Sequence, residues 1–317
     1  MQMRQSPEYL PREQKMSDRP GLPEIDFPPV ALRCPVCKTS FPDKEAACLS
    51  CGFRLEFDGR AWDARPDRTV EAEFSRQWEL WEEGKLGRRD RIFGVPHGER
   101  FTRIMEILLL SGNDLRKKRI LEVGYGLGAV LERIQDYCPL ALGIDLTRPP
   151  RGTRLRPGSC FRADLLCTPF LPGQFDLVIC QGVLQLMPDP VLAFEKVAEQ
   201  VASGGVLYLL DIYEKGDKGS LALRKIFPSF SRYPENIQLG LAGGLSILRA
   251  LLEVIRRRSI GKDGFRTLCG DYKLAVYDVL TPAFTSRHDA EEILSWFGAH
   301  GFSAERRAPR CYVGVKT

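Results

Sequence analysis

Two sets of residues in this sequence have types and spacings that could do chemistry. The first is Gly124, Gly126 and Gly128, preceded by Glu122, within the stretch RILEVGYGLGAVLERI at residues 119–134. Ile120-Leu121-Glu122-Val123 reads as a short buried strand, and Val130, Leu131 and Ile134 share one face of a following helix. A strand that turns at once into a helix gathers backbone N–H groups and a helix N-terminus at one point. Glycines there permit positive φ and close approach of a ligand to the backbone. Such a cradle suits a nucleotide at the carboxyl end of a parallel strand. The second set is Cys34-Pro35-Val36-Cys37 and Cys48-Leu49-Ser50-Cys51. Two C-x-x-C knuckles about ten residues apart have the ligand set of a Zn²⁺ ribbon. Four thiolates, Cys34, Cys37, Cys48 and Cys51, would fill the tetrahedron, so this zinc is expected to be structural. Buried or redox-active thiols are the blander alternative.

The glycine pattern alone does not name the nucleotide. Gly124, Gly126 and Ala129 also satisfy a relaxed dinucleotide fingerprint, with Asp145 at about the expected spacing. Glu122 favours S-adenosylmethionine (SAM), because a carboxylate just before the glycines can meet the amino-acid end of that cofactor. The downstream order agrees. Residues 140–144 form a second apolar strand ending at Asp145, which can accept from both ribose hydroxyls, with Leu146 beside it. Residues 160–165 contain a third strand and its exit, where Asp164 can accept from the adenine amino group and a neighbouring N–H, that of Leu165, can bond the ring. Residues 175–180 are a continuous apolar run, hence a central strand, with Gln181 at its carboxyl end. Residues 191–201 read as a helix, and Ser203-Gly204-Gly205 as the turn into a fifth strand at 206–212. Between the second and third strands, Pro149, Pro150 and Pro157 exclude a regular helix and leave an exposed loop carrying four arginines.

A chain of 317 residues with 44% hydrophobic and 27% charged residues is of ordinary globular composition, long enough to bury a substantial core. Its net charge of +5 permits nucleic acid as a partner without arguing for it. Residues 1–30 are polar and proline-rich and read as a disordered tail with no apolar signal core. The ten cysteines are therefore expected to be reduced, in a cytoplasmic protein. The organisation that follows is a tail at 1–30, a zinc ribbon at 31–60, a helical linker or N-terminal cap at 61–118, a SAM-binding core at 119–213, a helical lid insertion at 214–273 and the last part of the core at 274–317. In the linker, Phe74, Gln77, Trp78 and Trp81 have helical spacing. That face is expected to pack on the main domain, with closure over the cofactor as the other reading. In the insertion, residues 237–258 are helical and apolar with a basic end. Glycines interrupt them too often for a membrane span, so no transmembrane segment is expected, and a lid is preferred to a membrane-surface helix.

The set LEVGYGLG, GIDLT, RADLLCTPF, FDLVICQGVLQLMPDP and SGGVLYLLDIY resembles the class I SAM-dependent methyltransferases over residues 119–213. The resemblance implies a Rossmann-like α/β fold with a seven-stranded sheet. It also implies that Glu122, Gly124, Tyr125, Gly126, Gly128, Asp145, Leu146, Asp164, Leu165 and Gln181 hold the cofactor. Two departures stand out. Tyr125 replaces a small residue or cysteine, and Val183-Leu184-Gln185-Leu186 stands where relatives commonly carry a histidine pair. The segment from Asp278 through His288 into the last helix, with the ribbon and the Phe74–Trp78 motif, is similar to a subset of bacterial members and extends the likeness over most of 34–317. His288 and Asp278 are the candidates for acceptor-side proton transfer. Three functions are open: methylation of a small-molecule acceptor, which is preferred; methylation of rRNA or tRNA recognised by the ribbon; and a non-catalytic SAM-binding protein whose ribbon docks a protein partner.

Overall fold

A computed structural model describes residues 30–42, 46–68, 73–87, 91–92, 95–216, 219–257 and 262–317. The expected tail at 1–29 and Arg258 lie outside the described residues. In chain order the strands are β1 (Glu56–Phe57), β2 (Ala61–Asp63), β3 (Arg91–Ile92), β4 (Val95–Pro96), β5 (Ile120–Val123), β6 (Leu142–Asp145), β7 (Cys160–Arg162), β8 (Phe175–Gln181), β9 (Val201–Leu210), β10 (Phe302–Ala308) and β11 (Cys311–Lys316). The helices are α1 (Glu73–Glu82), α2 (His97–Leu108), α3 (Gly112–Leu115), α4 (Ala129–Gln135), α5 (Pro190–Gln200), α6 (Gly219–Ile226), α7 (Glu235–Arg257), α8 (Lys262–Leu280) and α9 (Ala290–Ala299).

One sheet runs β1-β2-β7-β6-β5-β8-β9-β11-β10, and β3-β4 form a separate hairpin. The seven strands from β7 to β10 are the expected class I sheet, parallel except where β11 meets β9 and β10. Two more strands extend it, because the end of the ribbon folds back and β2 pairs in parallel with β7. All four residues of β5 are buried, as a central strand covered on both faces requires. Leu121 and Val123 join the core with Phe161, Val178, Phe194 and Phe297. Ile120, one residue out of phase, joins Leu131, Ile134 and Ile179 on the other side.

Three expectations change in detail. The ribbon is not a separate module: Leu32, Phe41 and Leu55 share the core that holds Phe161 and Phe170. Its entry is stitched to the loop after β7, where the Arg33 N–H donates to Pro169 O at 2.7 Å and Leu171 N–H to Ala31 O at 3.1 Å. Ser203-Gly204-Gly205 is a bulge within β9 rather than a turn before it, since pairing with β8 resumes at Leu177↔Val206. And α8 runs straight through residue 273, so the insertion is continuous with the element that carries Asp278. The last helix, α9, is capped by Asp289 in a capping box with Glu292.

Candidate cofactor and acceptor site

The glycine loop is shaped by what surrounds it. Gly124, Gly126 and Gly128 all have positive φ, at 74°, 49° and 72°. A Cβ on Gly124 would lie 2.3 Å from Val183 Cγ2, and one on Gly128 would lie 2.5 Å from Leu155 Cδ1. Those two glycines let neighbours close against the loop. Gly126 is roomier, with the Trp78 ring 3.4 Å from where its Cβ would be. The aromatic face of α1 therefore reaches the loop. Leu80 and Trp81 pack with Leu127 and Ala129 of the loop and with Ala242, Leu274 and Tyr277 of the α7–α8 hairpin. The α1 face packs on the main domain, and its Trp78 ring lies against Gly126 of the loop. Tyr125 meets its steric demand by turning inward. Its ring lies against Gly143 and its hydroxyl donates to Thr147 O at 2.8 Å, so it offers the loop only its backbone.

Asp145 ties the loop to the tip of β6. Its Oδ2 accepts from the Gly126 N–H at 2.8 Å, and its Oδ1 accepts from the backbone and hydroxyl of Thr147 at 2.7 and 2.8 Å. Burial pushes its pKa up, and these donors pull it back. A carboxylate has about four lone-pair sites, so acceptor capacity remains for ribose hydroxyls. Asp164, after β7, spends Oδ1 on the Leu166 N–H and caps a short 3₁₀ turn that begins at Leu165. Gln181 ends β8 and donates to Asp211 at 3.3 Å.

Glu122 is the unusual group. It is buried on a central strand, and among the described residues its Oε2 has no hydrogen-bond partner. Burial raises its pKa to about 8; the Leu131 N–H in the first turn of α4 lowers it, the Asp145 charge raises it and Arg100 lowers it. An orphaned carboxylate oxygen of this kind calls for a donor, best a cation. The α-ammonium of SAM is such a group, and Glu122 directly precedes the glycine loop that Asp145 ties to β6. The residues fit the cofactor.

Comparison with known proteins decides the family. The methyltransferase-domain family matches residues 121–209. Residues 121–209 are a methyltransferase domain. A tRNA U34 carboxymethyltransferase from Syntrophotalea carbinolica is 28% identical over 149 residues, which are 44% of this chain and 45% of that protein. The chain thus spans under half the length of the curated relative it matches. Among solved structures, a magnesium protoporphyrin IX methyltransferase from Synechocystis with bound S-adenosylhomocysteine (SAH) aligns over 79% of this chain and all of that one, at 17% identity and TM-score 0.43. A sugar N-methyltransferase from Streptoalloteichus aligns over 75% and 92%, at 15% identity and TM-score 0.43.

A second group of polar side chains gathers around Asp278 and Asp211. Asp278 of α8 accepts from Gln77 Nε2 at 2.8 Å. Burial raises the Asp278 carboxyl to about 6, opposed by Gln77 and by the Arg100 charge and assisted by Asp211. The half-buried Arg100 feels Asp211, Asp278 and Glu122 together, and these charges resist the downward push of burial on its guanidinium. Burial, with Asp278 second, raises Tyr213 to about 12. Asp211, Arg100, Gln77 and Tyr213 were not singled out for this site from the sequence. A charged residue directly after an apolar strand, as in LYLLDIY, was the signal for Asp211.

His288 is placed differently. Its Nδ1 meets Glu292 at 2.8 Å and its Nε2 meets the Ser286 hydroxyl at 3.0 Å. Its ring packs edge-on against Trp296, and its backbone N–H donates to Tyr213 O at 3.0 Å. With both nitrogens committed, His288 pins the last helix to the segment after β9.

The four ribbon cysteines converge. Their Sγ atoms all lie within 4.8 Å of one another, with Cys34–Cys51 at 3.5 Å and Cys37–Cys48 at 3.4 Å. Tetrahedral zinc with Zn–S near 2.3 Å needs S···S of about 3.8 Å, so the cluster fits that ion. Each knuckle turns through a left-handed residue after its second cysteine, Lys38 at φ 64° and Gly52 at φ 76°.

Proposed function

We propose that this chain transfers a methyl group from SAM to a small-molecule acceptor held beneath α1 and α8. The orphaned Oε2 of buried Glu122, at the mouth of the glycine cradle, carries the reading of cofactor use. Glu122 and the loop amides would hold the amino-acid end, Asp145 the ribose, and Asp164 with Leu165 the adenine. When bound, SAM supplies an electrophilic methyl on a sulfonium. The chain aligns the acceptor and excludes water, with Trp78, Leu80 and Trp81 forming the apolar cover. Asp278, with a pKa raised to about 6, is ionised at neutral pH yet basic enough to take the proton an O–H or N–H acceptor loses. Gln77 orients that carboxylate, and Arg100 balances its charge. The cysteine cluster is assigned a structural zinc that fixes the ribbon against the sheet edge.

A tRNA acceptor is the second reading. It rests on the 28% identical relative and on the loop of Arg148, Arg151, Arg154 and Arg156. That loop is clamped, since Arg154 pairs with Glu132 at 2.5 Å and the Arg156 N–H donates to Gln135 at 3.1 Å. This favours the small molecule. Incubation with methyl-labelled SAM and either a metabolite extract or bulk tRNA separates the two. Label is expected in the metabolite fraction, and Asp278→Asn should lower kcat by about a hundredfold to ten-thousandfold while leaving SAH affinity unchanged. Label confined to tRNA would replace the first reading by the second. Label in neither fraction, with SAH bound, would return the chain to the non-catalytic alternative.

A further inference from the structure

Helix α7 is amphipathic in the inverted sense. At 100° per residue, Ile237, Ile247, Leu248, Leu251, Leu252 and Ile255 fall within one arc of its surface. All six are between 46% and 73% exposed. The opposite face carries Gln238, Ala242, Ser246 and Ala250 at four-residue spacing, and all four are buried. The polar pair is satisfied inside: Gln238 accepts from the Tyr277 hydroxyl at 2.6 Å and donates to Tyr233 O at 2.7 Å, and Ser246 donates to Gly243 O at 2.7 Å. A helix of a water-soluble surface puts its large aliphatics inward. This one meets the protein with small and polar residues and the half-buried Leu239, Leu241 and Leu245, and still leaves six large aliphatics out, a patch of the kind that marks an interaction site.

We propose that the outer face of α7 docks on an anionic lipid surface. The chemistry of the arc selects that occupant. It holds only branched aliphatics and glycine, with no aromatic ring and no hydrogen-bonding side chain, whereas protein interfaces are enriched in aromatics, methionine and arginine. Lipid asks for aliphatic area alone. Exposed Arg249 and Arg256 border the arc on one side, and the Arg249 guanidinium is steadied over the Tyr272 ring at 4.4 Å. A cationic margin beside an aliphatic stripe is the pattern of helices that lie in the headgroup region, where each such cation adds attraction to anionic lipid. The segment Glu235–Arg256 is long and apolar enough to cross a bilayer by length and composition. Crossing would strip Gln238 of its partners Tyr233 and Tyr277 or carry α8 along, so the helix lies on the surface. The docked hairpin is the one whose second helix carries Asp278, which holds the acceptor side of the site to the membrane. The proposal does not depend on the acceptor's identity.

The test is sedimentation of the full chain with phosphatidylcholine vesicles, with and without phosphatidylglycerol, using wild type and the double variant Leu248→Glu/Leu251→Glu. Both positions face solvent, so the variant's thermal midpoint and circular dichroism serve as the folding control. Binding to the anionic vesicles is expected, weakened tenfold or more by the double variant and several-fold by raised salt. Arg256→Glu should weaken it in the same direction. Absence of binding to anionic vesicles would overturn the proposal, as would binding that the double variant leaves unchanged. A wild-type dimer that the double variant converts to monomer, without vesicle binding, would assign the face to a second copy of the chain instead.

Discussion

Leu131 and Leu248 sit on helices of the same molecule in opposite settings. Leu131, on the helix that follows the glycine loop, is completely buried, while Leu248, midway along α7, is 55% exposed. Around Leu131 the apolar side chains face the sheet, and the loop before it carries three left-handed glycines. Around Leu248 the largest aliphatics, Ile247, Leu251 and Leu252, face out, while Ala242, Ser246 and Ala250 face in. The first arrangement builds a site from the inside of a fold, and the second presents a surface that water does not suit. Apolar sequence therefore marks burial in one region and an exposed face in the other.

Truncation of the two leucines measures that difference directly. Leu131→Ala is expected to cost about 2–5 kcal/mol, the range for a buried leucine, whereas Leu248→Ala should stay within about 0.5 kcal/mol; chemical denaturation reads both. Equal costs would break the contrast. Gly124→Ala tests the cradle itself. A left-handed φ of 74° and a Cβ 2.3 Å from Val183 Cγ2 together should cost about 2–4 kcal/mol, with cofactor binding lost alongside. The pH dependence of stability comes next in size. Glu122 titrates near 8 in the fold, above its unfolded value, so the native state holds the proton that the unfolded chain releases. Its contribution is fully present below the unfolded pKa and is lost as pH rises through about 8. Relative to Glu122→Gln, the wild type should lose on the order of 2 kcal/mol between about pH 6 and pH 9, seen as converging or crossing thermal midpoints. A pH-independent difference would mean that Glu122 already has a partner.

Much of the cradle was legible because its signals are local. Three alternate glycines, a strand-end aspartate and paired C-x-x-C knuckles each encode backbone geometry or ligand chemistry within a few residues. Asp145 reaching Gly126 and the four converging thiols follow from those signals. What was not legible depended on partners distant in sequence. His288 resembles a base in one dimension, but Glu292 and Ser286 take both of its nitrogens. Gln77 and Asp278 meet across 201 positions. The ribbon's two extra strands required the unpaired edge of β7, and the inverted face of α7 follows from α8 accepting its small residues. Periodicity gives the helix but does not say which face is turned inward.

The central claim is that the orphaned Glu122 carboxylate completes a SAM site. Calorimetric titration of SAH into wild type and Glu122→Gln, at a pH above 8, tests it most directly. Wild type should bind, and the substitution should weaken binding by about tenfold or more, equivalent to about 1.4 kcal/mol. Equal affinities would remove Glu122 from the site, and absence of binding to folded wild type would contradict the account.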